Sequence, residues 1–341
     1  MPGAVAPRCA GDAVSETTLV VDIGGTRMRI GHLIGAEASA DMGSASSDLL
    51  RVDDPVSALV DQLQRYAFEH ALEPTAVVLG VPFSPDPGYE TALSSPNIPS
   101  FEGKPIRSRL SRALGVPVHL ERDINLLMLG EWASGAAVGA AYALGMFVGT
   151  GVGGSFLQGG VPYRGATGSA VELGHIPIRA EGRRCVCGNV DCLEAYACGH
   201  VLHELARRAG VPIAEVFVQA PRHQALQRDL DDFVRDLAYA LATAVNLFHP
   251  NVAVVGGGIP AMVGFPHERF ATTFAAHLRR PAPSSTVALR WARLGSRASL
   301  FGAHTLITNP AAQAVGTAST AAGPVPPALD AASTATEKDL A

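Results

Sequence analysis

Four side chains in the middle of the chain have the types and spacing of a metal site. Cys185, Cys187 and Cys192 fall within eight residues, and His175 stands ten residues upstream. Three thiolates and an imidazole suit tetrahedral Zn²⁺, and a closed Cys3His set leaves no open position, so such a metal is structural. The N-terminus carries no apolar stretch of signal-peptide length, and so tight a cluster then points to metal ligation rather than disulfides. Cys9 and Cys198 stand apart and are read as plain thiols.

Three glycine-rich turns offer a second chemistry. They are Asp22-Ile23-Gly24-Gly25-Thr26, Gly149-Thr150-Gly151-Val152-Gly153-Gly154 and Gly256-Gly257-Gly258, each following an apolar run. Glycine permits positive φ and lets backbone N–H groups approach a phosphate. Thr26 adds a hydroxyl, and Asp22 supplies the oxygen ligand that Mg²⁺ or its waters prefer. One such loop is an ordinary hairpin turn; three, each after a strand, point to a nucleotide. The chain has no G-x-x-x-x-G-K-[ST], and no G-x-G-x-x-G opening a βαβ unit with a downstream acid. P-loop and dinucleotide-binding folds are thereby excluded.

The third group is acidic and polar. Asp123, in Glu121-Arg122-Asp123-Ile124-Asn125, follows an apolar strand and begins a helix, the place where α/β sheets put ligands. A carboxylate there can accept the proton of a hydroxyl as it attacks a γ-phosphorus. It can equally cap the helix, and position alone does not choose. Asn97, in Ser95-Pro96-Asn97-Ile98-Pro99, offers a donor and an acceptor in a rigid loop. Glu172 and His175 stand together in Glu-Leu-Gly-His, and Glu194 follows the cysteines. Recognition of a polyol needs several such groups, because each hydroxyl must be satisfied or rejected.

Alternating strand and helix patterns position these residues. Strands over 17–23 and 28–34 flank the first glycine turn as a hairpin. Val56, Leu59, Val60, Leu63 and Tyr66 recur at helical spacing between residues 55 and 70. Strands follow over 76–81 and 116–121, and a second strand pair brackets the Gly149–Gly154 turn. Leu230, Phe233, Leu237, Leu241, Val245 and Phe248 trace one long helix, and 251–258 reads as a strand running into the third glycine turn. Two α/β units, each opening with a hairpin around a Gly/Thr turn, imply a duplicated fold with a cleft between its halves. The expected division is a loose tail over 1–16, a small α/β lobe over 17–124 and a large α/β lobe over 125–297 carrying the cysteine cluster. The last helix, about 298–308, is expected to cross back to the small lobe. Residues 309–341 are biased in Ala, Thr and Pro and poor in large apolar residues, so they read as a disordered tail.

Bulk properties narrow the function class. The chain has 341 residues, is 48% hydrophobic and 17% charged, and carries a net charge of −5. That length allows two cores, and the acidic balance argues against a nucleic-acid surface. Apolar stretches are interrupted before the roughly 20 residues a bilayer requires. A cytoplasmic enzyme is the expectation.

Together DIGGT, G-V-P at 80–82, S-P-N-I-P, E-R-D-I-N, GTGVGG, E-L-G-H, C-V-C-G-N-V-D-C-L-E and VVGGG resemble the ROK family (repressors, open reading frames, kinases) over about residues 18–308. The pairing of a DxGxT loop with a GTG loop is similar to the wider actin-like clan of sugar kinases and ATPases. The resemblance implies an α/β, actin-like ATPase (ribonuclease H-like) duplicated fold of two lobes, and an ATP-dependent hexose kinase. It implies that Asp123 is the general base and that Asn97, Asp123, Glu172, His175 and Glu194 line the sugar pocket. Asp22, Gly24, Gly25, Thr26, Gly149, Thr150, Gly151, Gly256, Gly257 and Gly258 would hold ATP, with Mg²⁺ bridging its phosphates. His175, Cys185, Cys187 and Cys192 would hold a structural Zn²⁺, and the chain would form a homodimer.

Two positions depart from the family pattern. Arg122 stands where most family kinases have Asn, and a cation beside the base is expected to lower its pKa. Asp191 replaces the usual Gly of the cysteine motif and is expected to alter only a turn. Arg122 and the stretches SSPNIP, RDINL, VELGHIPI and AVNLFHPNVAVVGGGIPAM are similar to the allose kinase branch. That similarity implies D-allose as substrate, giving D-allose 6-phosphate, with glucose, mannose or an N-acetylhexosamine as alternatives. ROK members also include sugar-responsive repressors with a winged helix-turn-helix; about 17 residues before the first strand are too few for one. A catalytically idle sugar sensor is the rival from another class.

Overall fold

The computed structural model describes residues 16–313, and the sequence-based expectations for 1–15 and 314–341 lie outside them. Strands β1 (Thr17–Ile23), β2 (Arg27–Ile34), β3 (Glu37–Ala38), β4 (Gly43–Ser46) and β5 (Ala76–Val81) come first. They are followed by β6 (Ser84–Pro85), β7 (Ala92–Ser94), β8 (Val118–Arg122), β9 (Tyr142–Val148), β10 (Val152–Gln158), β11 (Val161–Pro162), β12 (Val252–Gly256) and β13 (Ala288–Trp291). The helices are α1 (Pro55–Glu69), α2 (Ile106–Leu114), α3 (Asp123–Ser134), α4 (Gly199–Ala209) and α5 (Val216–Gln219). Then come α6 (Gln224–Phe248), α7 (His267–Ala276), α8 (Ala298–Thr308) and α9 (Pro310–Gln313).

The two main sheets repeat one plan. The first runs β3-β2-β1-β5-β8, with β4 pairing on β2; the second runs β11-β10-β9-β12-β13. In each, the opening hairpin is antiparallel (β1 with β2, β9 with β10). The next two strands then join parallel (β5 and β8; β12 and β13). Parallel pairing needs crossover connections, which the helices provide.

Local chemistry accounts for the helices that frame the sheets. At α1, Asp54 accepts the Ser57 N–H at 3.2 Å and Pro55 opens the first turn, both favourable at a helix start. Leu59 and Leu63 on its inner face are fully buried. The 25-residue α6 buries Leu226, Leu230, Phe233, Leu237, Leu241 and Val245 against the second sheet, one apolar stripe at the helical period.

Between the sheets α3 crosses α8, and glycine sets how closely. A Cβ on Gly130 would lie 2.0 Å from the Ala298 carbonyl oxygen, and one on Gly302 would lie 1.9 Å from that of Leu126. Leu126, Met128, Leu129, Leu300, Ala303 and Leu306 form one core there, shared with Val20 and Val78 of the first sheet and Val252 and Val254 of the second. Helix α8 thus packs with residues of both sheets. Residues 310–313, expected in the tail, instead form α9: Ala312 is buried, and its carbonyl accepts a 2.5 Å bond from Arg164 Nη2. No helix among the described residues is long and apolar enough to cross a membrane.

Candidate active site

The C-terminal ends of β1, β8, β9 and β12 deliver the glycine loops and Asp123 to one region. The first loop is tied down by Ser47, whose hydroxyl donates to the Gly24 carbonyl at 2.7 Å. Arg51 Nη2 donates to the carbonyls of both Gly25 (2.9 Å) and Asn97 (3.2 Å). A Cβ on Gly25 would stand 3.3 Å from Asn97 Cγ, so the amide of Asn97 lies directly on the loop. Ser95, fully buried, shapes that segment by donating from Oγ to the Ile98 carbonyl at 2.7 Å.

The second and third loops meet at the end of β9. Gly257, at φ 96°, has no room for a Cβ, which would lie 2.3 Å from the Val148 carbonyl oxygen, and the Ile259 N–H donates to that same oxygen at 3.1 Å. A Cβ on Gly149 or Gly258 would meet nothing within 4 Å, so both present open backbone. Across the sheets, the hydroxyl oxygens of Thr26 and Thr150 are 3.0 Å apart. All three predicted loops are thus brought together.

Asp123 is the first residue of α3, directly after β8, and its Oδ1 accepts the Ile124 N–H at 2.7 Å. The helix N-terminus favours a carboxylate by about 0.3–1 kcal/mol, and Arg122 pulls in the same direction. Burial, and then the charge of Asp22, oppose them and win, so the Asp123 carboxyl is pushed up to about 7. The lowering expected from Arg122 alone is present but outweighed. Asp22 is itself buried, 3.6 Å from Arg29, and desolvation raises its pKa against the pull of that arginine.

Behind Asp123 lies a network that the sequence did not announce. Glu121, 1% exposed, accepts from the Arg122 N–H (2.9 Å) and Asn125 Nδ2 (2.8 Å) on one oxygen, and from Arg164 Nε (3.0 Å) on the other. Asn125 Oδ1 in turn accepts from Ser155 Oγ at 2.8 Å. A buried charge of this kind persists only when fully paired.

Arg122 also reaches forward, donating from Nη2 to Glu172 Oε1 at 2.6 Å and from Nη1 to the Ala170 carbonyl at 2.7 Å. Glu172 and His175 share one tight turn, in which the His175 N–H donates to the Glu172 carbonyl at 3.0 Å. Glu194 faces the second glycine loop: its Oε2 accepts the Val152 N–H at 2.8 Å and crowds the α-carbon of Gly151.

The cysteine cluster assembles as expected. The ligand atoms of His175, Cys185, Cys187 and Cys192 lie within 4.8 Å of one another. Cys187 Sγ is 3.7 Å from Cys192 Sγ, and His175 Nδ1 is 3.6 Å from Cys185 Sγ. Tetrahedral Zn²⁺ with ordinary bond lengths has ligand–ligand edges of about 3.5–3.8 Å, so these donors fit that ion. The sulfur separation is too long for a disulfide.

Asp191 does more than alter a turn. At φ 61° it accepts the N–H groups of Glu181 (3.2 Å), Gly182 (3.0 Å) and Arg183 (2.9 Å), and the hydroxyl of Tyr196. The guanidinium groups of Arg179 and Arg183 each lie 4.6 Å from the Tyr196 ring centroid. Arg179 anchors the assembly to α6 through Asp236 at 2.6 Å.

Residues 18–309 match the model of the ROK family. The chain belongs to the ROK family. A glucokinase of Thermotoga maritima is 29% identical over 261 residues, which span 70% of this chain and 81% of that protein. An N-acetyl-D-glucosamine kinase of Pectobacterium atrosepticum is 28% identical over 253 residues, 70% of this chain and 82% of its own. Among solved structures, a ROK glucokinase of Streptomyces griseus in complex with glucose and AMPPNP matches with a TM-score of 0.72 at 25% identity, covering 85% of this chain and 98% of that one. The mixed α/β sheets of this ROK chain accord with the actin-like ATPase fold of the family's kinases.

Proposed function

We propose that this ROK protein is an ATP-dependent hexose kinase that transfers the γ-phosphoryl group to the sugar 6-hydroxyl, with Asp123 as general base. One observation carries the reading. A carboxylate at the head of α3, pushed up to about 7, stands in the region where three glycine loops converge, two of them joined through Thr26 and Thr150. A base poised near neutral pH suits deprotonation of an alcohol during phosphoryl transfer.

In this reading the two sheets are the cores of two lobes, and ATP and hexose meet between them. The hexose hydroxyl attacks the γ-phosphorus, Asp123 accepts the hydroxyl proton, the bond to the β-phosphate oxygen breaks, and ADP leaves. Asn97, Glu172, His175 and Glu194 surround the sugar; Gly24, Gly25, Thr26, Gly149, Thr150, Gly151 and Gly256–Gly258 surround ATP. Mg²⁺, when bound, would neutralise charge on the phosphate oxygens, and Asp22 would hold it or its waters. His175, Cys185, Cys187 and Cys192 would hold a structural Zn²⁺, which would fix the Glu172–His175 turn. The homodimer expected from the family belongs to the same proposal, and sedimentation equilibrium tests it.

Two hexoses lead on different grounds. The glucokinase relatives support glucose; Arg122 and the neighbouring motifs support D-allose. ADP release with Mg-ATP across allose, glucose, mannose, fructose, N-acetylglucosamine and N-acetylmannosamine separates them. A kcat/KM maximum at any of these supports the kinase and names the sugar. Sugar binding by folded, zinc-loaded protein without any turnover would replace the kinase with a sensor.

A further inference from the structure

The pair formed by Arg122 and Glu172 has a consequence for how the hexose is read. Arg122 occupies the last position of β8, immediately before Asp123, and its side chain is 10% exposed. Its guanidinium donates along two directions at once, to the Ala170 carbonyl and to Glu172 Oε1. These two acceptors flank Val171, a β-branched residue at φ 64°, a conformation that L side chains rarely adopt and that surrounding structure must hold in place. Glu172 follows at φ −75° and ψ 66°, and the Leu173 N–H donates to the Val171 carbonyl at 2.8 Å across it; this is an inverse γ-turn. The Val171 carbonyl oxygen is pressed against Gly154, where a Cβ would lie 2.4 Å from it. The Glu172 side chain is 37% exposed, and its bond to Arg122 engages Oε1.

We infer that Arg122 is a positioning residue that sets hexose specificity: its fork grips both sides of the strained Val171 turn and presents Glu172 to the sugar in a single orientation. The inference rests on the hexose-kinase reading. Arginine suits the task because its planar fork can bond a carboxylate and a carbonyl together, which the point charge of lysine cannot reproduce. An acid held in one orientation discriminates hydroxyl epimers; one free to rotate follows whichever hydroxyl is offered.

The test compares wild type, Arg122→Asn, Arg122→Lys, Glu172→Gln and the Arg122→Asn/Glu172→Gln double variant on the sugar panel. Arg122→Asn is expected to raise the KM for the preferred hexose by roughly tenfold to a hundredfold, leave the KM for ATP within about twofold, and flatten the preference among epimers. Arg122→Lys falls between. In the Glu172→Gln background the Arg122→Asn change adds little, because the carboxylate that Arg122 orients is already gone. Equal effects on hexose and ATP, unchanged epimer preference, or full additivity with Glu172→Gln would each overturn the inference. If Arg122→Asn does not fold, Arg122→Lys and Glu172→Gln decide by the same KM split. Calorimetric binding of the hexose without ATP reads the same effect in an inactive protein. A wild type that binds hexose without turnover therefore defeats the kinase alone, whereas one that neither binds nor phosphorylates any hexose defeats both.

Discussion

Thr26 and Thr150, 124 residues apart in the chain, hold their side-chain oxygens 3.0 Å from each other. This bond joins the glycine loops of the two repeated sheets at the point where ATP is proposed to bind. A single hydrogen bond contributes about 0.5–1.5 kcal/mol, so Thr26→Val and Thr150→Val are each expected to raise the KM for ATP by roughly 2- to 13-fold. The bond is exposed, and Tm should hardly move. Steady-state kinetics at saturating hexose check this; an unchanged KM for ATP in both variants would remove the contact from nucleotide binding.

The pH profile should carry the signature of a raised carboxyl. Asp123 must be deprotonated to act as a base and sits at about 7, so kcat/KM should rise with pH through that value and fall away below it. Asp22 raises the Asp123 pKa and Arg122 lowers it. Asp22→Asn should therefore shift the acid limb to lower pH, and Arg122→Asn to higher pH. Linkage adds a second readout. A carboxyl whose pKa is raised by folding favours the protonated native state, so its contribution is present at acid pH and lost between about pH 4 and pH 7. Asp123→Asn should accordingly melt higher than wild type at pH 8. An acid limb near pH 4, with no response to Asp22→Asn, would contradict the environment described for the base.

Metal content tests the cysteine cluster. Wild type should purify with one zinc per chain, and Cys187→Ser should lose it and fold poorly. Asp191→Gly should keep the four ligands but loosen the loop that Asp191 holds through three backbone N–H groups, so zinc should leave faster to a chelator. Elemental analysis and the rate of chelator-driven release measure both; an active, stable, metal-free Cys187→Ser would exclude a structural zinc.

Much of this was legible in the sequence where the signal is local. The glycine turns, the α1 stripe of Val56, Leu59, Leu63 and Tyr66, and the His175–Cys192 donor set each lie within a few turns of chain. What escaped were pairs made by the fold. Arg164 meets Glu121 and Arg51 meets Asn97 only after strands and loops far apart in sequence are assembled, and no periodicity marks them. The net rise at Asp123 is hidden for the same reason: Arg122, which lowers its pKa, is its neighbour in sequence, whereas burial and then the charge of Asp22, which raise it, arise only when β1, β5 and β8 pair. At the C-terminus, composition concealed α9, which docks through buried Ala312, its carbonyl bond from Arg164 and the bond from Gln313 Nε2 to the Ile307 carbonyl.

The most direct test of the account is phosphoryl transfer by Asp123→Asn, measured as ADP release with Mg-ATP and the preferred hexose alongside equilibrium binding of that sugar. The account predicts a loss of kcat of about 10²-fold or more, with sugar binding still measurable. A variant that retains most of its kcat would contradict Asp123 as the base, and with it the proposed mechanism.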